Sequence, residues 1–147
     1  MSCQKPIRRL LKSLAAVAVA GVAAGCATST TLLFQCDREI NGGLVLTIDV
    51  IQITDGEEQD IRQVGDDWFY SDLRGRLGAR KKTVAVEGGC RETVVFPRLK
   101  GYDRLAVIAD YQFEGRQTRA QMEFLDWQGT TMQVRVLDRY LTITRSG

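Results

Sequence analysis

Beyond residue 82 the apolar side chains recur at every second position, and that alternation restricts the fold of this chain more than any other feature. Thr83–Val86 and Glu92–Phe96 flank a Gly88-Gly89-Cys90 turn, and Pro97 closes the second run. Leu105, Val107, Ala109 and Tyr111 share one side of Leu105–Gln112. In Thr118–Leu125, Ala120, Met122 and Phe124 alternate with Arg119, Gln121 and Glu123. Met132, Val134 and Val136 alternate with Gln133 and Arg135, and Leu141–Thr144 ends the series. A period of two is that of a strand whose successive side chains point to opposite faces. Thr31–Cys36 and Leu44–Ile53 read as two strands ahead of these. Short strands separated by turn clusters give a mainly β chain, a two-sheet β-sandwich of about eight strands.

Leu44–Ile53 places Leu44, Leu46, Ile48 and Val50 on one face and Thr47, Asp49 and Ile51 on the other, which suits a central strand. Residues 54–78 change period. Ile61, Val64, Trp68, Phe69, Leu73 and Leu77 recur at three- and four-residue spacing, so one or two short helices are inserted after the second strand. Asp55 with Glu58 has the form of a capping box, and Gly65 and Gly78 are natural helix ends. The cluster Trp68-Phe69-Tyr70 is either a partner or ligand surface, or a plug in which Trp68 and Phe69 close the open end of the sandwich.

The chain opens differently. Lys5, Arg8, Arg9 and Lys12 precede an apolar run from Leu14 to Ala24. That run covers only about 17 Å as a helix, against roughly 30 Å of bilayer hydrocarbon. A basic start, a short apolar core and small residues at the end describe an export signal over residues 1–25. Ala23-Ala24-Gly25-Cys26 resembles the bacterial lipobox, with Ala23 where Leu is usual, and implies that Cys26 is acylated and becomes the N-terminus. The alternative is an ordinary cleaved signal with an incidental Cys26. Ala27 follows where an Asp would retain a lipoprotein at the inner membrane, so the resemblance implies the periplasmic face of the outer membrane. Residues 26–31 then form a lipidated tether and 32–147 a single domain.

Removing 25 residues from 147 leaves 122, enough for one core and too few for two. The signal holds four of the 20 basic residues and none of the 18 acidic ones, so the mature balance is 16 against 18 and the net charge moves from +2 to −2. No basic stripe with interleaved aromatics is present, which argues against nucleic acid as a partner. Cys3 leaves with the signal and Cys26 is committed to lipid, leaving Cys36 and Cys90 in an oxidising compartment where a disulfide between them would persist. Two buried free thiols that never meet are the alternative.

The chain has no histidine, which removes Ser-His and Cys-His catalysis and imidazole metal sites. The mature serines, Ser29, Ser71 and Ser146, lie outside any G-x-S-x-G, and no glycine-rich phosphate loop appears. Asp55, Glu57, Glu58, Asp60, Asp66, Asp67 and Asp72 are dense enough for a calcium site but fit no EF-hand spacing, and they read as a solvated helix face. The expectation is a protein that is not an enzyme and needs no cofactor or metal.

A strand, then Ile40-Asn41-Gly42-Gly43, then the long apolar Leu44–Ile53 resembles the opening of the outer-membrane lipoproteins of type VI secretion systems, the TssJ family. Phe69 to Leu77-Gly78 is similar to that family's short aromatic helix, and Leu105-Ala106-Val107-Ile108-Ala109-Asp110-Tyr111 to its next apolar strand. The family's turn proline is absent, and the pair Cys36/Cys90 is not one of its features. The resemblance implies a structural role: anchoring an envelope-spanning complex by binding the periplasmic part of an inner-membrane protein, as one member of a multimeric ring. Carried over by position, the contact loop is Arg38, Glu39, Ile40, Asn41, Gly42 and Gly43, with Arg38, Glu39 and Asn41 as exposed hydrogen-bonding groups. An ordinary hairpin turn without a partner is the plainer reading. A different class of function, a lipoprotein module that binds a small ligand or cell-wall glycan, would use Trp127, Tyr102 and Tyr140 for stacking.

Overall fold

The computed structural model describes residues 29–112, 118–126 and 131–145. Within them lie eight strands: β1 (Ser29–Cys36), β2 (Leu46–Ile53), β3 (Lys81–Val86), β4 (Arg91–Pro97), β5 (Arg104–Gln112), β6 (Thr118–Asp126), β7 (Thr131–Val136) and β8 (Leu141–Arg145). They form two four-stranded sheets, β4-β1-β7-β8 and β3-β2-β5-β6, and every pairing is antiparallel except β1 with β7. The mainly β, two-sheet architecture is the one the alternation predicts.

Some chain neighbours are split between the sheets. β1 and β2 belong to different sheets, and so do β3 and β4. The Asn41-Gly42-Gly43 and Gly88-Gly89 segments therefore carry the chain from sheet to sheet rather than closing hairpins. β1 begins at Ser29, inside the stretch read as tether, because Ser29 and Thr30 already pair with Pro97 and Phe96.

The sandwich interior is built from Leu32, Phe34, Leu46, Ile48, Val50, Leu105, Val107, Met132, Val134 and their neighbours. A second core lies on the other face of β2 and β5, where Ile51, Ile53, Ala106 and Ile108 meet Ile61, Trp68 and Leu77. This is why β2 and β5 are apolar at odd and even positions alike: strands covered on both faces read as continuous hydrophobic runs. The covering insertion comprises α1 (Asp55–Val64), a 3₁₀ turn (Gly65–Tyr70), α2 (Asp72–Arg76) and a further 3₁₀ turn (Gly78–Arg80).

Two local expectations are corrected here. The α1 cap falls one residue earlier than Asp55 and Glu58: the Glu57 carboxylate accepts from the Thr54 N–H at 2.9 Å, and Thr54 has the extended backbone of a cap residue. Trp68 does not plug an open end of the sandwich. It is carried by the insertion and fully buried against the outside of β2 and β5, because those strands present an apolar outer face that must be covered.

Under the insertion sits a buried carboxylate. Asp49 accepts from Trp68 Nε1 at 3.0 Å, Arg74 Nε at 2.7 Å and Thr83 Oγ1 at 2.6 Å. Burial pushes the Asp49 pKa up, but the donors from Arg74, Thr83 and Trp68 outweigh it and hold the carboxylate below its ordinary value. Nearby Asp110 is raised by burial, which outweighs the opposing pull of Arg74, and Asp49 adds a smaller push upward. Much of the acidic run is similarly committed: Glu57 to Arg80, Glu58 to Arg62 and Arg104, and Asp66 to the backbone N–H of Ala120.

Candidate functional site

β1 carries the chain from Ser29 to Cys36, roughly 25 Å at 3.3 Å per residue. At the far end lie the loop that follows Cys36, the turn before β4 and the turn between β7 and β8. Their positions follow from the register: Gln35 pairs with Arg91 and Arg135, and Leu46 with Val86.

The base of the loop is rigid. Cys36 and Cys90, 54 positions apart in sequence, are joined by a disulfide with Cα atoms 4.8 Å apart. The Cys36 N–H donates to the Cys90 carbonyl at 3.0 Å, the Asp37 N–H to Val136 at 2.8 Å and the Gly89 N–H to the Asp37 carbonyl at 2.7 Å. Gly88 lies so close to Arg38 that a Cβ would stand 2.3 Å from the Arg38 carbonyl oxygen, so no larger residue fits.

Asn41 is the pin of the loop. Its backbone N–H donates to the Asp138 carbonyl at 2.9 Å, its Nδ2 donates to the Val45 carbonyl at 3.1 Å, and its Oδ1 accepts from the Gln112 N–H at 2.7 Å. Asn41, Gly42 and Gly43 all have positive φ, at 50°, 63° and 81°, a run that only Asn and Gly accept readily. The Gly42 N–H donates to Asp138 Oδ1 at 3.0 Å, tying the loop to the β7–β8 turn. Below, the Tyr111 hydroxyl donates to the Leu137 carbonyl at 3.1 Å, and burial, with Asp138 adding to it, raises its pKa so that it stays a donor.

Of the six residues carried over as contacts, the structure separates two groups. Arg38, Glu39, Gly42 and Gly43 are exposed, whereas Ile40 and Asn41 are buried. The expectation that Asn41 offers an exposed hydrogen-bonding group is therefore corrected: all its polar atoms are spent inside the domain. Leu44 and Val45 were missed. Read as the start of a strand with Leu44 on its inner face, they precede β2 and stand half exposed, at 51 % and 49 %. The signal was present, since a Gly-Gly pair at positive φ delays the start of the strand. Val45 borders a shallow depression with Ala85, Val86 and Gly88–Cys90, and Tyr140 is exposed on the adjoining turn.

Tyr102 and Tyr140 lie at opposite ends of the sandwich, and Tyr102 is already covered by the Arg80 guanidinium 4.7 Å from its ring centre. They share no stacking surface. Residues 1–25, Cys26 and Trp127 lie outside the described residues.

With this geometry in view, the fold has clear counterparts. No family model matches the chain, and no curated protein matches it by sequence. Among solved structures, the T6SS lipoprotein TssJ1 from Pseudomonas aeruginosa superposes with a TM-score of 0.64 at 11 % identity, covering 82 % of this chain and 98 % of that one. Serratia marcescens Lip, a membrane-bound component of the type VI secretion system, gives 0.61 at 17 % identity, covering 82 % and 99 %. A chain of a type VI membrane complex gives 0.62 at 16 %, covering 80 % and 98 %. The fold is thus that of the TssJ-type lipoproteins of type VI secretion. This chain is similar to those proteins over nearly their whole length, and the likeness first read in Leu32–Ile53 extends across both sheets.

Proposed function

We propose that this protein is a structural outer-membrane lipoprotein of a type VI secretion apparatus. Acylated Cys26 anchors it at the periplasmic face, and the loop after β1 binds the periplasmic part of an inner-membrane component, with several copies arranged in a ring. The disulfide, Asn41 and Asp138 hold that loop from beneath. Arg38, Glu39, Gly42 and Gly43, extended by Leu44 and Val45, form the contact. The observation that carries this reading is the pair Leu44 and Val45, two aliphatic side chains left half in water on a loop tied down by the disulfide, Asn41 and Asp138, at the end of β1 away from the anchor.

The experiment is co-purification from solubilised envelopes. Leu44→Asp with Val45→Asp lies on an exposed surface, so the domain should fold, and recovery of the large inner-membrane secretion protein should fall at least tenfold. Undiminished recovery would remove the loop as the binding site.

A further inference from the structure

The three lysines that follow residue 25, Lys81, Lys82 and Lys100, gather at one end of the domain. Lys81 and Lys82 pair with Ile51 and Val50 near the end of β2. Lys100 lies in the connection after Pro97, and Pro97 pairs with Ser29, where the described chain begins. Gln52, wholly buried, grips that connection: its Nε2 donates to the Pro97 carbonyl at 2.7 Å and its Oε1 accepts from the Leu99 N–H at 2.6 Å. Arg98 and Lys100, either side of Leu99, are thus carried on a segment held from inside the sandwich.

Among the described residues no carboxylate pairs with any of the three lysines. The arginines differ: Arg62 is paired to Glu58, Arg74 to Asp49, Arg80 to Glu57 and Arg98 to Asp103. The remaining acidic groups of this end, Asp55 and Asp126, stand on the β5–β6 side around Arg104. Those guanidinium forks are already spent on carboxylates, whereas each lysine keeps an unpaired, mobile point charge that a phosphate surface attracts. Lysines on an edge strand also discourage strand pairing, which accounts for Lys81 and Lys82 on β3 but not for Lys100 in a loop.

We infer that this end is a docking face for anionic phospholipid headgroups, with Lys81, Lys82 and Lys100 as its contacts. The inference rests on the proposed acylation of Cys26. The three steps from Cys26 to Ser29 reach at most about 11 Å, close to the screening length of roughly 10 Å, so these charges stand within the field of an anionic leaflet. Docking there turns the long axis of β1 away from the membrane and presents the Arg38–Val45 loop to the periplasm.

The test uses the acylated protein in vesicles of phosphatidylcholine alone, or with about a third phosphatidylglycerol, treated with a water-soluble amine-acetylating reagent. Mass spectrometry reads the rate at each lysine. The three should react roughly fivefold more slowly in the anionic membrane, and about 0.5 M salt should remove the difference. Equal rates in both membranes, or protection indifferent to lipid charge and salt, overturn the docking face. The same spectra weigh the Cys26 peptide. A chain without acyl groups sinks the anchor and the docking face together. An acylated chain with equally reactive lysines overturns the docking face alone and leaves the proposed function standing.

Discussion

The carboxamide oxygen of Asn41 accepts a 2.7 Å hydrogen bond from the backbone N–H of Gln112, 71 residues further along the chain. With its Nδ2 on the Val45 carbonyl, this one side chain fixes the loop after β1 to the end of β5. Asn41→Ala would leave the Gln112 N–H and the Val45 carbonyl unpartnered and place alanine at a φ of 50°. A loss of about 2–4 kcal/mol in unfolding free energy is expected in urea titration. A loss below about 0.5 kcal/mol, the range of an ordinary surface substitution, would show that the loop does not depend on Asn41.

The disulfide gives a second expectation. A cross-link between residues 54 apart removes about 4 kcal/mol of denatured-state entropy in the chain-entropy model. Cys36→Ser with Cys90→Ser, or reduction of the wild type, should lower stability by up to that amount. Hydrogen exchange should quicken first at the Gly89 and Asp37 amides, whose bonds lie beside the link. Uniform quickening across both sheets would contradict a local role.

Acid should act through Asp49. Its folded pKa is depressed, so its contribution is complete above the ordinary carboxylate value and is lost as pH falls below that value through the folded one. Asp110 has the opposite sign: its raised pKa costs stability above the ordinary value, so Asp110→Asn should stabilise the protein at neutral pH. Arg74→Ala strands a fully buried carboxylate and should cost about 3 kcal/mol at pH 7, with much of the difference from wild type disappearing in acid. Thermal denaturation from pH 3 to 8 measures all three.

Cys26→Ala tests the anchor directly. If the proposed acylation of Cys26 is the anchor, the variant should move from the membrane fraction to the soluble periplasmic fraction without change in melting temperature. A variant that still sediments with membranes would show that something other than lipid holds it.

The helical insertion shows where sequence reading reached its limit. Its existence is legible from the spacing of Ile61, Val64, Trp68 and Leu77, but neither sequence reading of Trp68, a partner surface or a plug at an open end, gives its place. The signal for its true place lay elsewhere, in Ile51, Ile53, Ala106 and Ile108, which make β2 and β5 apolar on both faces. A strand with two buried faces needs two covers, and only the insertion was left to supply the second. The loop was legible as a loop from Gly42-Gly43, yet its inside and outside were not. Asn41 is polar and buried because Gln112, 71 residues away, donates to its carboxamide. Leu44 is apolar and exposed on a loop that this bond and the Gly42 bond to Asp138, 96 residues away, hold in place.

Local chemistry determined what the sequence could settle by itself: strands where apolar residues alternate, helices where they recur every three or four, and a mainly β sandwich from their number and spacing. Each follows from interactions within a few residues, which are present wherever that stretch of chain is found. Tertiary structure alone decided which strands neighbour one another, that β1 and β2, like β3 and β4, divide between sheets, and that Asp49 finds Trp68, Arg74 and Thr83 in one buried site. Those outcomes depend on distant groups competing for the same space and the same hydrogen-bond partners. No window of sequence contains that competition.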